Sequence, residues 1–217
     1  MSDVEYETSH DRPVRRRRAP KGEKRREALL DAATAVFAEH GYEAASMRRV
    51  AERVGITPVG LLHHFPNKTA LLEALLARRD RRVTEKFAAL EMAPTLDGFV
   101  AFAVMSLRFS VESRQECQAA MRINVESLSS EHPAHVWQQE KFALTHDHAR
   151  GHLRQLIEVG EVRSDVDVDA VVTEMFAVMD GLQIQWLRSQ GEVDAVAVFD
   201  GYLRRLAEAI RREGAGA

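Results

Sequence analysis

Fourteen residues from Gly55 to Lys68 read GITPVGLLHHFPNK and leave the backbone few options. Gly55 can take the left-handed conformation that closes a helix. Thr57 supplies an N-cap oxygen, and Pro58 suits the first helical position, where no N–H is needed. Leu61 and Phe65 are four apart and anchor one face inward. Pro66 then stops the helix, and Asn67 caps another that opens KTALLEALLARRDRRV. The stretch predicts a very short helix, from Pro58 to about His64, held between two others by tight turns.

The residues before it complete a unit. From about Glu23, the residues Leu29, Ala33, Val36, Phe37 and His40 follow the spacing of one buried helical stripe, and Gly41 ends it. Ser46 can cap the next helix, MRRVAERV, which buries Val50, Ala51 and Val54 and turns Arg48, Arg49 and Arg53 outward. A helix, a glycine-containing turn and a short helix make a helix-turn-helix.

Beyond it, apolar residues recur at three- and four-residue spacing and no stretch alternates in twos, so the class is all-α. With 45% hydrophobic and 29% charged residues the chain can build an ordinary core. Longer helices are expected over about 95–113, 119–130, 133–159, 167–189 and 194–212. No apolar run approaches the ~20 residues that span a bilayer, and the polar, arginine-rich start is not a secretory signal. One cysteine, Cys117, suits a reducing compartment, so a cytoplasmic location and no membrane partner are expected. Charge is divided: residues 1–90 carry a net +5 and residues 91–217 a net −8. Only the first part is suited to meet a polyanion. The expected organisation is a disordered basic tail over 1–22, a DNA-binding unit over 23–70 and a second helical domain over 71–217.

Residues Lys24 to Leu75 resemble the DNA-binding domain of the TetR family of bacterial transcriptional regulators. The carriers are ALLDAATAVFAEHGYEAASMRRVAERVGIT and LLHHFPNKTALLEALL, with Phe37, Gly41, Tyr42, Ala51, Gly55, Phe65, Asn67, Lys68, Leu71 and Leu72 in the family's register. The resemblance implies a homodimer on a pseudo-palindromic double-stranded DNA operator and a small-molecule effector for the C-terminal domain, with no cofactor. Physics supports the same assignment: a short helix with small residues fits a major groove about 12 Å wide. Pro58, Val59, Gly60 and His63 are expected to face bases, and the Arg48 guanidinium has the fork that reads guanine. Ser46, Thr57, His64 and Lys68 are expected at phosphates, where a phosphate would offset the poor placement of a lysine at a helix N-terminus. Leu62 departs from the family, which usually has a phosphate-bonding tyrosine there.

For the effector pocket, Phe102, Met105, Phe109, Met121, Trp137, Phe142, Met175 and Met179 are candidates, because flexible methionines and aromatics suit an adaptable apolar cavity. Leu182 and Trp186, with Phe199, Tyr202, Leu203 and Leu206, form apolar stripes on the last two helices. The resemblance implies that these helices meet their symmetry mates in a four-helix bundle. His148 and His152, one turn apart, have spacing that can hold a metal, but no HExxH or cysteine partner accompanies them, so no metal is expected. Two other readings compete: a helical interaction protein, or a metal-dependent enzyme, with a vestigial helix-turn-helix.

Overall fold

The computed structural model describes residues 21–88 and 93–212, and these form helices throughout. In chain order they are α1 (Lys21–Ala44), α2 (Met47–Val54), α3 (Pro58–Leu62), α4 (Lys68–Ala88) and α5 (Leu96–Ser110). They continue as α6 (Arg114–Glu126), α7 (His135–Glu158), α8 (Val168–Arg188) and α9 (Ala195–Ile210). The all-α expectation holds. Residues 1–20 of the expected tail lie outside the described residues, while Lys21 and Gly22 already belong to α1.

The caps expected at Ser46, Thr57 and Asn67 are formed, and four further helices are capped in the same way. Ser46, Thr57, Thr95, Ser113, Asp167 and Asp194 each accept a bond from a backbone N–H three residues on, capping α2, α3, α5, α6, α8 and α9. Asn67 does the same for α4 through the Ala70 N–H. Gly55 closes α2 in the left-handed region, at φ 69° and ψ 39°. Gly41 differs: its φ of 76° comes with ψ 174°, so it bends the chain sharply inside α1 instead of closing a left-handed cap.

Two cores result. Leu29, Leu30, Val36 and Phe37 of α1 pack with Val50, Ala51, Leu61, Phe65 and the first half of α4, and α6 adds Ala119 and Ile123 to this cluster. Leu96, Phe99, Leu107, Leu153, Val172, Phe199 and Leu203 build the second core from α5, α7, α8 and α9. Each fully buried leucine or phenylalanine contributes roughly 1.5–3 kcal/mol. Helix α4 runs unbroken past residue 70, and its Phe87 ring meets Phe102 and Phe109 of α5.

Several sequence expectations change here. Phe199 and Leu203 were expected to meet a second copy, but they are 0% and 1% exposed inside the protomer's own core. Their stripe is already covered by α5 and α8. Met175 is likewise core filling. Trp137 packs on the first core beneath the Lys141 ammonium. Phe142 stands 62% exposed, stacked on His146, whose other face lies on Phe176.

Candidate nucleic-acid interface

Helix α3 is only five residues long, and its orientation follows from two buried anchors. Leu61 and Phe65 are 0% and 2% exposed, so the opposite side must face solvent. Val59 and Leu62, three apart, are both exposed large apolar residues, and Pro58, His63 and His64 are exposed beside them. Thr57 Oγ1 accepts the Gly60 N–H at 3.1 Å, and the backbone bonds of His64 and Phe65 to Leu61 close the helix. Such a short element, anchored at Leu61 and Phe65, presents apolar and imidazole groups without a long side chain in the way.

Helix α2 supplies the cations beside it. Arg48 is exposed and donates through Nε to Glu52 Oε1 at 2.7 Å, one turn on. That pair is solvated, so its guanidinium can exchange the carboxylate for another acceptor at little cost. Arg49 instead reaches back to the Ala44 carbonyl at 3.2 Å. The Arg26 guanidinium lies 4.7 Å from the centre of the Phe65 ring, which brings the basic start of α1 to the end of α3. Sequence reading missed this neighbour, because only the tertiary packing of α1 across the unit puts Arg26 there.

Lys68 is placed otherwise than expected. Its Nζ donates to the carbonyls of Tyr42, Glu43 and Ala45 at 2.9, 3.1 and 3.3 Å, and sits 4.3 Å from the centre of the Tyr42 ring. An ammonium has three hydrogens, and all three are used. The α1 C-terminus, rather than a phosphate, offsets the position of Lys68 at the start of α4.

The unit is joined to the second domain at Gly41 and Tyr42. Glu126, on the last turn of α6, accepts the Tyr42 N–H at 2.6 Å. His132 packs edge-on against the Tyr42 ring at 4.8 Å, and its Nδ1 accepts the Ala134 N–H at 3.1 Å. A neutral ring must then carry its proton on Nε2, which is buried without a hydrogen-bond partner, 3.9 Å from Glu126. Burial holds His132 below the ordinary histidine pKa, against the opposing pull of Glu126 and Glu43. A histidine held neutral by the fold lends stability at neutral pH that is lost as pH falls through and below the unfolded value of about 6.5. The melting temperature is therefore expected to fall between pH 7.5 and 5.5 by more in the parent protein than in His132→Asn, whose amide oxygen can replace Nδ1. Parallel melting curves for the two would remove this role from His132.

On α8 and α9 several small or apolar residues lie on the outward surface among polar ones. Ala177, Gly181 and Ile184 on one helix, and Val198 and Gly201 on the other, keep accessible surface. A Cβ added at Gly181 would meet nothing within 4 Å. Leu182, Trp186, Tyr202 and Leu206 are half-buried against the second core. Among the described residues no three His, Cys, Asp or Glu side chains converge as metal ligands would, and no helix is long and apolar enough to cross a membrane.

Comparison with known proteins places this geometry. Residues 29–75 match the family described as bacterial regulatory proteins, tetR family, and residues 97–208 match the BetI-type transcriptional repressor, C-terminal family. The HTH-type transcriptional repressor AcnR of Corynebacterium diphtheriae is 28% identical over 172 residues, covering 78% of this chain and 84% of the relative. The structure of the ketosteroid transcriptional regulator KstR2 of Mycobacterium tuberculosis superposes with a TM-score of 0.67 at 25% identity, covering 87% of this chain and 96% of that one. A TetR transcriptional regulator from Chloroflexus aurantiacus reaches a TM-score of 0.70 at 21% identity, covering 88% and 98%.

Proposed function

Since the chain belongs to the TetR family of bacterial transcriptional regulators, we propose that it represses transcription as a homodimer on a pseudo-palindromic operator and is released by a small-molecule effector. The observation that carries the DNA reading is α3: a capped five-residue helix, pinned by Leu61 and Phe65, with its other side in solvent. Pro58, Val59, Gly60 and His63 enter the major groove in this reading. Arg48 leaves Glu52 for a guanine edge, and Ser46, Thr57, His64 and Arg26 meet phosphates. Lys68 acts indirectly, by holding the end of α1 against the start of α4. Leu62, where the family usually has tyrosine, offers apolar contact to a thymine methyl or a sugar.

One such unit reads few base pairs, and two related by a dyad double the contacts if their α3 helices lie about 34–36 Å apart. The small-residue surface of α8 and α9 is the face proposed for the second copy, because Gly181 and Gly201 permit close helix approach. Effector binding in the domain over 97–208 favours a dimer whose spacing no longer fits. To empty the operator, the effector must prefer that form by several kcal/mol, about 5 for a complete switch.

Fluorescence anisotropy with a labelled duplex taken from upstream of the chain's own gene tests this. Arg48→Ala is expected to weaken specific binding about tenfold, the worth of one bidentate base contact, without changing the melting temperature. A randomised-DNA selection that enriches no sequence would overturn the repressor reading. Salt-independent behaviour would favour a helical interaction protein.

A further inference from the structure

The joint at Tyr42 contains a buried polar atom without a partner, which folded proteins seldom tolerate. Tyr42 lies near the end of α1 and is 4% exposed. Its ring meets the Lys68 ammonium of α4, the Phe37 ring of α1 and the His132 ring, and its hydroxyl shares a bond with Thr69 Oγ1 at 3.2 Å. Its N–H donates to Glu126 Oε2 at the end of α6. The other oxygen of that carboxylate stands where Gly41 would carry a Cβ. Glu126 thus brings the second domain onto the bend of α1.

His132 lies in the turn between α6 and α7, with its side chain 2% exposed. Its Nδ1 accepts the N–H of Ala134, a buried N-cap residue whose own side chain caps nothing. The neutral ring therefore completes the start of α7 and keeps its proton on Nε2, 3.9 Å from Glu126 Oε2. That oxygen is the one that takes the Tyr42 N–H. Charged groups face the ring from each element packed on it: Glu126 on α6, Glu43 on α1 and Lys68 on α4. On its own turn Glu131 is exposed. His135 holds the Ser127 carbonyl through Nδ1, a bond that survives in either charge state of that ring.

His132 cannot gain a proton without rearrangement. The proton must go to Nδ1, where the Ala134 N–H already points, and two donors then face each other. Charging the ring also strengthens its attraction to Glu126, whose Oε2 stands beyond hydrogen-bond length. Because one oxygen faces both donors, drawing it to Nε2 lengthens its bond to Tyr42. Burial holds the ring neutral while the joint is shut. A ring freed from the turn takes its proton near the ordinary histidine value of about 6.5. Acid therefore favours the open joint: from pH 7.5 to 5.5 the ratio of open to shut rises by up to about tenfold.

We propose that His132 is an acid-operated latch between the second domain and the DNA-binding unit: its protonation frees the start of α7 and draws Glu126 off the Tyr42 N–H, so that acidification empties the operator. With α1 no longer held against α6, the two α3 helices of a dimer lose their fixed spacing. This rests on the reading of the chain as an operator-binding protein and adds the proton as a second signal.

Operator affinity at pH 7.5 and 5.5 and constant ionic strength tests it, with the parent protein, His132→Asn and Glu126→Gln. The asparagine oxygen can keep the Ala134 bond and takes no proton. The glutamine oxygen still accepts the Tyr42 N–H but exerts no pull on a charged ring. His63 and His64 on the DNA face titrate in all three proteins and cancel in the comparison. The parent is expected to lose about three- to tenfold more affinity on acidification than either variant. Equal losses in the parent and His132→Asn overturn the latch. So does a Glu126→Gln protein that keeps the parent's full loss, and this arm stands even if His132→Asn does not fold. Selective 15N labelling of the three tyrosines reads the joint without DNA. The Tyr42 amide resonance is expected to move between the two pH values in the parent and to stay in His132→Asn. A moving Tyr42 resonance without operator binding at either pH supports the latch and removes the repressor. Operator binding with a fixed Tyr42 resonance removes the latch alone.

Discussion

Replacing Gly41 with alanine is expected to cost about 3–5 kcal/mol. The backbone there has φ 76° and ψ 174°, a region open almost only to glycine, and alanine pays about 1–3 kcal/mol to stay in it. The added Cβ would also lie 2.9 Å from Glu126 Cδ and closer still to Oε1. The carboxylate must then move and give up the Tyr42 N–H, a charge-assisted bond worth about 1.5–3 kcal/mol. For a chain of this size each kcal/mol is worth about 2–4 °C, so the melting temperature should fall by about 10 °C. Adding Glu126→Ala to Gly41→Ala should recover little, because it relieves the clash but leaves the strain and the orphaned N–H. A Gly41→Ala protein melting within a degree of the parent would show that the joint between α1 and α6 yields easily.

Lys68→Met is the second large effect, and it separates two roles that sequence could not. Methionine keeps the bulk of the stem and removes three N–H···O=C bonds and the stacking on Tyr42. Leaving the α1 carbonyls without their donor is expected to cost about 2–3 kcal/mol, read as a lower midpoint in urea. The slope of log affinity against log salt should stay that of the parent. Had Lys68 met a phosphate, the midpoint would be unchanged and the slope would lose about 0.9. Affinity at one salt concentration falls in both cases and cannot distinguish them.

Much of the DNA-binding unit is legible in the chain because its determinants are local. Ser46, Thr57 and Asn67 cap helices that begin within three residues of them, Gly55 needs its left-handed turn wherever the chain lies, and Leu61 and Phe65 share a face by spacing alone. The position of Arg26 over Phe65 is not legible, since thirty-nine residues of chain separate them and no local rule connects them. The same holds for Lys68. Its charge and its place at a helix start predict that something negative must be near, and the sequence cannot say whether that is a phosphate or the end of α1.

The last two helices make the same point about burial. Apolar spacing located the stripe through Phe199 and Leu203, and the family resemblance implied a second copy against it. The protomer's own α5 and α8 cover it, while Ala177, Gly181, Ile184, Val198 and Gly201 keep accessible surface. A hydrophobic stripe reports that it will be covered, not by what, because the hydrophobic effect has no direction.

By itself, then, the sequence determined the all-α class, the helix-turn-helix and the residues that cap and pin the short helix α3. These depend on backbone geometry and on contacts a turn or two away. Only the tertiary structure decided where these charges are spent: Lys68 on the backbone carbonyls at the end of α1, Arg78 on Asp31 and Asp80 on Lys141. Ionic and hydrogen-bond partners come from distant parts of the chain. Whether a buried cation is satisfied is therefore settled only when helices meet.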